Sequence, residues 1–333
     1  MDQRPQQLPY SHEVQGMKIL FCTFQFPDYG LDTLYSALYE QLGAESIFEY
    51  PEKGILHGEK HNRYVNYPIF FNLPKIKTDA EKFEMLRNNE FDYIVIGCRA
   101  YANYTYNRNH HRHHDDDFFT LIKEKSRDLP TILVDQGDDR GINYSLIQAL
   151  NAKLYLKREL LKNDPSDPLV KPFNFSYPGV PHDIHSNFIL DLFWAGKVSP
   201  TREPYILAAE ELLNTKFYNR YRQSVYKKTL AEYKIGLNLK GLGNDTVRYY
   251  EIPAYGGLLF SEKLDIVIEN DFKDGETAIF FESTDEMKEK LLYCLHHESF
   301  VDKIRLAGFK WFTKYHSNKV RATQFMEKIW QIS

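Results

Sequence analysis

The residues with the most definite chemistry are Arg248 and Glu251, three positions apart in the segment KIGLNLKGLGNDTVRYYEIPAYGGLLFSE. Ile235–Leu239 reads as a strand, and Gly241 and Gly243 make a turn after it. A helix then begins near Asn244–Thr246, with Asn244 or Asp245 as its N-cap. The first turn of a helix carries unpaired N–H groups and a partial positive charge, so it suits phosphate. Residues three apart share one helical face. Arg248 has the planar fork that holds a diphosphate bidentately. Glu251, an acceptor only when ionised, matches a pair of sugar hydroxyls such as those of a ribose. The same spacing also describes a solvated Arg–Glu pair worth roughly 0.2–0.5 kcal/mol; the strand–turn–helix context is what puts the two residues at a cleft edge. No GxxxxGK(S/T) loop is present, and GLGNDT lacks the last glycine of a GxGxxG fingerprint.

Three other stretches carry polar side chains worth weighing. VDQGDDRG (134–141) follows a strand over Thr131–Gln136, which puts Asp138, Asp139 and Arg140 at the cleft rim. Asp138 or Asp139 is a candidate general base for an acceptor hydroxyl, though acidic turns also recur where a strand simply reverses. Asp28, in the loop after the first strand, is the second candidate base. NRNHHRHHDDDFF gathers His110, His111, His113, His114 and the acids 115–117, all metal-competent. Consecutive residues cannot all face one ion, and the three acids suit the start of a helix near Phe118. The loop therefore reads as a polar connection with a helix cap, with an acceptor contact, a pH-sensitive lid or a metal site as alternatives.

The elements that position these groups follow a βα rhythm. Met17–Phe24 is a short apolar run that reads as the first buried strand. Leu31, Leu34, Leu38 and Leu42 then mark one face of a helix ended by Gly43. Ser46–Tyr50, Asp92–Gly97, Thr131–Gln136 and Lys153–Lys157 read as further strands. From Asn163 to Asn187 five prolines and little helical period mark a connection between domains. Asp191–Gly196, Ile235–Leu239, Gly257–Ser261 and Ala278–Glu282 are the strands of a second series. Ser283 with Glu286 is a capping box that opens the closing helices. The expected architecture is α/β: two Rossmann-like, doubly wound domains facing across a cleft. Residues 1–16 are a loose arm, 17–187 the first domain, and 188–333 the second domain with its closing helices.

The 333 residues allow two domains, each long enough for a core. A net charge of −4 argues against gripping nucleic acid by bulk positive charge. Cys22, Cys98 and Cys294 form neither a zinc spacing nor an even disulfide set, which fits a reducing cytoplasm. No apolar run approaches the ~18 residues of a membrane span, so membrane contact is at most peripheral.

RYYEIPAYGGLLFSE resembles the helix-and-strand signature of group 1 glycosyltransferases of the GT-B fold. It looks most like the CgeB-like, spore-maturation branch, whose pattern is roughly R-x-x-E-x-x-A-x-G-x-x-L; Arg248, Glu251, Ala254 and Gly256 match. DLFWAGKVSPTREPYI resembles the opening of the second domain in that family, and 281–316 its closing helices. The resemblance implies transfer of a sugar from a nucleotide-diphosphate sugar to a glycan, a lipid-linked or a small-molecule acceptor, without a catalytic metal or other cofactor. It implies that Glu251 holds the ribose and that Arg248, Lys240 and Lys197 face the diphosphate, with Asn244, Thr246 and the amides at Thr246–Val247 completing the site. The first Glu of the family's Glu-x7-Glu motif would fall at position 243, which is glycine. The alternative is a non-catalytic GT-B module that binds a nucleotide or glycan.

Overall fold

The computed structural model describes residues 16–59, 71–100, 116–179, 188–217 and 221–332. Residues 1–15 and the loop acids and histidines up to Asp115 lie outside that set. The described residues form two parallel sheets. The first holds β1 (Ile19–Cys22), β2 (Ile47–Tyr50), β3 (Tyr93–Gly97), β4 (Thr131–Asp135), β5 (Leu154–Lys157) and β6 (Val170–Pro172), in the order β2-β1-β3-β4-β5-β6. The second holds β7 (Ile189–Phe193), β8 (Tyr233–Asn238), β9 (Leu258–Glu262) and β10 (Ile279–Phe281), in the order β10-β9-β8-β7. β1 to β5 are buried along their whole length, as expected for parallel strands covered by helices on both faces.

The helices lie where the apolar spacing puts them. α1 (Tyr29–Leu42) packs its leucines on β1 and β3 and ends at Gly43, whose φ is 89°. α2 (Asp79–Arg87), α3 (Asp116–Lys125) and α4 (Tyr144–Ala149) complete the first domain. The second adds α5 (Glu203–Leu213), α6 (Gln223–Leu230), α7 (Val247–Ala254), α8 (Thr284–His296) and α9 (Glu298–Tyr315). α7 sits tight on its sheet because Gly236 faces it: a Cβ there would fall 2.6 Å from Ile252 Cγ1.

Two expectations are corrected. The proline-rich stretch is not only a connection, because Val170–Pro172 adds a sixth strand beside β5. A three-residue edge strand ending in proline leaves no period to read. The last helix, α10 (Asn318–Trp330), does not close the second domain. Ala322, Phe325, Met326 and Ile329 sink into the first domain's core with Ile19, Phe21 and Leu34. Phe325 lies 6.2 Å from the Phe21 ring and 6.0 Å from Phe173. An apolar helix face records that it is buried, not what buries it.

The carboxyl ends of the two sheets face one another. Residues just past β5 bond to the turn just past β8. The next residues run antiparallel to the stretch after β9: Lys162 N donates to Asp265 O at 3.0 Å and Val267 N to Leu160 O at 2.8 Å.

Candidate functional site

The second-domain site is built by the turns after β7 and β8. Thr246 is the N-cap of α7 in position only: its hydroxyl donates to Asn238 Oδ1 at 2.6 Å rather than to the helix. The helix therefore starts at Val247, with its cap one or two residues later than the Asn244 or Asp245 expected from sequence. Tyr249 N turns back to Thr246 O at 3.1 Å, which leaves the Val247 and Arg248 amides for another partner.

Arg248 reaches from that first turn to the loop after β7 and donates through Nη2 to the Ala195 carbonyl. Its Nε is buried without a hydrogen-bond partner. Arg202, just before α5, donates Nε to Lys240 O at 2.7 Å, Nη1 to Lys197 O at 3.1 Å and Nη2 to Leu239 O at 3.2 Å. Burial and the neighbouring Arg248 charge bring Arg202 down to about 10. Among the described residues neither guanidinium has a carboxylate at ion-pair distance, so two positive charges share one wall, held by backbone carbonyls, with Glu262 and Glu251 near enough to be felt. Such an arrangement calls for an anion.

Glu251 lies one turn along α7 and is 8% exposed. Its Oε2 accepts a 2.6 Å hydrogen bond from Tyr226 on α6. Burial raises its carboxyl above the usual range, opposed by Tyr226, Arg248, Tyr177 and Lys227. Tyr226 also faces Arg248, which places it between the two charged groups. Tyr29, on α1 of the first domain, feels the charge of Glu251, and its hydroxyl donates to Ser176 O at 2.7 Å. Arg248 and Glu251 thus lie together on the side of α7 turned to the other domain.

The remaining expected residues are placed differently from one another. Lys240 lies 3.4 Å from both Glu262 and Asp265, so its charge is already met. Lys197 is exposed, and its carbonyl orients Arg202. Asn244 is 4% exposed and is turned away from Arg248: its backbone N and Nδ2 donate to Glu159 Oε2 at 2.8 and 3.0 Å. The anion at the Asn244–Asp245 amides is therefore a carboxylate of the protein itself.

On the first domain, Asp138 stands at the rim with its side chain 46% exposed and ion-pairs with Arg158. Asp28 lies at the point where the strand order reverses, between β1 and β3, the usual crevice of such sheets. Yet it is 3% exposed, and its Oδ1 accepts from Leu31 N at 3.2 Å as the cap of α1. Burial and the adjacent Asp32 raise its carboxyl. Asp32 in turn pairs with the fully buried Lys53 at 2.6 Å. A cavity of about 400 Å³ lined by Leu154, Lys171, Glu269, Gln324 and Lys328 lies at the start of β5, the opposite end of the sheet.

Sequence reasoning missed Arg202 and Tyr226, and it gives Arg158 and Glu159 only as part of a Lys157-Arg158-Glu159 pattern that some relatives in the resembled family show, without a role. Arg202 ends the Ser199-Pro200-Thr201 turn, which by itself names no ligand, and Tyr226 lies on a stretch with no turn signal. Lys157-Arg158-Glu159 was the better clue: three charged residues ending a buried strand need partners, and here they are 0%, 2% and 0% exposed.

Residues 170–327 match the glycosyl transferase-like family. A search of curated proteins finds no match. Among solved structures, a glycosyltransferase from Rickettsia africae superposes with a TM-score of 0.61 at 11% identity, covering 95% of this chain and 98% of that one. HepE of Anabaena, solved with UDP and glucose, gives 0.53 at 12% identity, over 95% of this chain and 100% of its own. Sucrose-phosphate synthase from Thermosynechococcus elongatus gives 0.53 at 9% identity, over 95% and 99%. These identities speak to the fold, which is the arrangement of two Rossmann-like domains that the strand–helix alternation predicts and that the resemblance names GT-B. Residues 170–327 are thus similar to the glycosyl transferase-like family, and the chain as a whole has the GT-B fold of these structures.

Proposed function

We propose that the protein transfers a sugar from a nucleotide-diphosphate sugar to a glycan, lipid-linked or small-molecule acceptor. The observation that carries this is the pair of guanidiniums, Arg248 and Arg202, beside the buried carboxylate of Glu251 on the cleft side of α7. Glycosyl transfer builds oxocarbenium character on the sugar and negative charge on the leaving diphosphate. Arg248, Arg202 and the first-turn amides of α7 meet that charge where it grows. Glu251 takes the ribose hydroxyls, turning binding energy from the remote nucleoside into position at the reacting bond. Lys197, exposed beside Arg202, adds long-range attraction for the donor.

Acceptor chemistry belongs to the first-domain rim. Asp138 is the better-placed base of the two candidates because it is exposed, whereas the Asp28 carboxyl is committed to capping α1. A retaining enzyme needs neither, and the leaving diphosphate then assists the incoming hydroxyl. No metal is assigned a step in this reading.

The solved complex of HepE with UDP and glucose makes UDP-sugars the first donors to try. The test is a screen of UDP-, GDP-, ADP- and dTDP-sugars by calorimetry and donor hydrolysis, with and without chelator. Turnover unaffected by chelator supports the reading. Chelator-sensitive turnover overturns its metal-independent form. Nucleotide binding without turnover in the presence of varied acceptors favours a non-catalytic binding module instead.

A further inference from the structure

We propose that Glu159 is the positioning residue of the donor-binding turn: supplied by the first domain, it holds Gly243–Asp245 in the shape that aims the start of α7 at the diphosphate. The inference rests on reading the second-domain site as a nucleotide-sugar site.

Glu159 is fully buried and comes from the other sheet, some 85 positions away in sequence. Its two oxygens accept three bonds from the turn: Asn244 N at 2.8 Å, Asn244 Nδ2 at 3.0 Å and Asp245 N at 2.8 Å. A buried carboxylate is costly unless its acceptor sites are filled, and these N–H groups fill them. The turn answers in kind. Its Asp245 carbonyl accepts from Arg158 Nη1 at 2.9 Å, and Asp245 Oδ2 accepts from Phe175 N at 2.7 Å. Every one of these bonds crosses between domains, and they add to the turn's own bond from Gly241 N to Gly243 O at 2.8 Å.

Gly243 shows how close the approach is. A Cβ at that position would fall 2.6 Å from Glu159 Oε1 and 3.1 Å from Arg158 Nη2. Glu159 does not compete with a donor phosphate. It lies against the amides of Asn244 and Asp245, ahead of the helix, while Thr246, Val247 and Arg248 remain half-buried at the cleft. It fixes the base of the turn and leaves the tip free to bind. Arg158 joins the same latch to the first-domain rim through Asp138.

The test uses the full chain with E159Q, E159A, G243A and the E159A/G243A double variant. Hydrogen exchange reads the 241–247 segment, and calorimetry with UDP, or the best nucleotide from the donor screen, reads the site. The expected result is faster exchange across that segment in each variant, with nucleotide affinity at least tenfold weaker. G243A acts by displacing Glu159, so the double variant should bind no worse than E159A alone. E159Q keeps the side-chain shape and guards against a folding failure in E159A. Faster exchange with unchanged nucleotide affinity, or additive losses in the double variant, overturns the inference while the site reading stands. A wild-type protein that binds no nucleotide overturns the site reading and this inference with it.

Discussion

The Tyr226 hydroxyl donates to Glu251 Oε2 across 2.6 Å, joining α6 to α7 at the middle of the charged wall. Tyr226 is fixed for this by its ring, which packs 5.7 Å from Phe193 and 6.3 Å from Tyr221. Y226F keeps that packing and removes only the bond. Because the phenol holds the Glu251 carboxyl down against burial, its loss lets that carboxyl rise further. A hydrogen bond to a charged group contributes about 1.5–3 kcal/mol, so nucleotide affinity should fall about tenfold or more. The fall-off on acidification should also begin at higher pH than in the wild type. Calorimetric titrations between pH 5 and 8 check both; an unchanged pH profile would detach Tyr226 from Glu251.

Arg248 should not tolerate lysine. Its fork serves the Ala195 carbonyl and leaves Nε pointing where no protein acceptor waits. A lysine brings one point charge and no fork. R248K should lower turnover by ~100-fold, the usual loss on removing one oriented donor from growing negative charge. Nucleotide affinity should change far less, and steady-state kinetics beside calorimetry separate the two.

These two side chains were legible because the strand, glycines and helix lie in one continuous stretch. Strands at Thr131, Leu154, Leu258 and Ile279 fell where apolar runs and turns put them, and Ser283 caps its helix as expected. What escaped was whatever depended on the other domain. Asn244 looked like a phosphate ligand from its own neighbourhood, but its partner is Glu159, whose placement only the assembled fold decides. Likewise Phe325 carried the period of a helix face without naming the sheet beneath it.

His316 should govern part of the acid stability. Its Nε2–H donates to Asn270 O at 2.9 Å, Nδ1 is buried without a partner, and the ring stacks on Phe272. Burial, helped by the Arg321 charge, pushes its imidazole down to about 3. The unfolded chain takes up this proton below pH ~6.5 and the folded one does not, so stability falls as pH drops through that range. H316Q retains an N–H donor without the titration, and its unfolding midpoint should fall less between pH 6.5 and 4. Denaturant melts at several pH values check this.

Lys53 and Asp32 form a 2.6 Å ion pair that is 0% and 1% exposed, next to Asp28. K53M leaves two buried carboxyls facing each other without their cation. Breaking such a pair from one side costs about 3–5 kcal/mol. Urea unfolding of K53M should show that loss, and K53M/D32L should recover part of it because the stranded charge goes too.

The final helix gives the molecule two seams of backbone instead of one. The chain leaves the first domain near Tyr177 and returns to it near Ser317, and these two strands of connection lie side by side, with Asn318 N donating to Tyr177 O at 3.0 Å. A single tether would let the lobes swivel freely; two adjacent ones act as a pair of pins. The two lobes are thereby pinned at Tyr177 and Ser317, and Glu159 ties them a third time at the turn after β8.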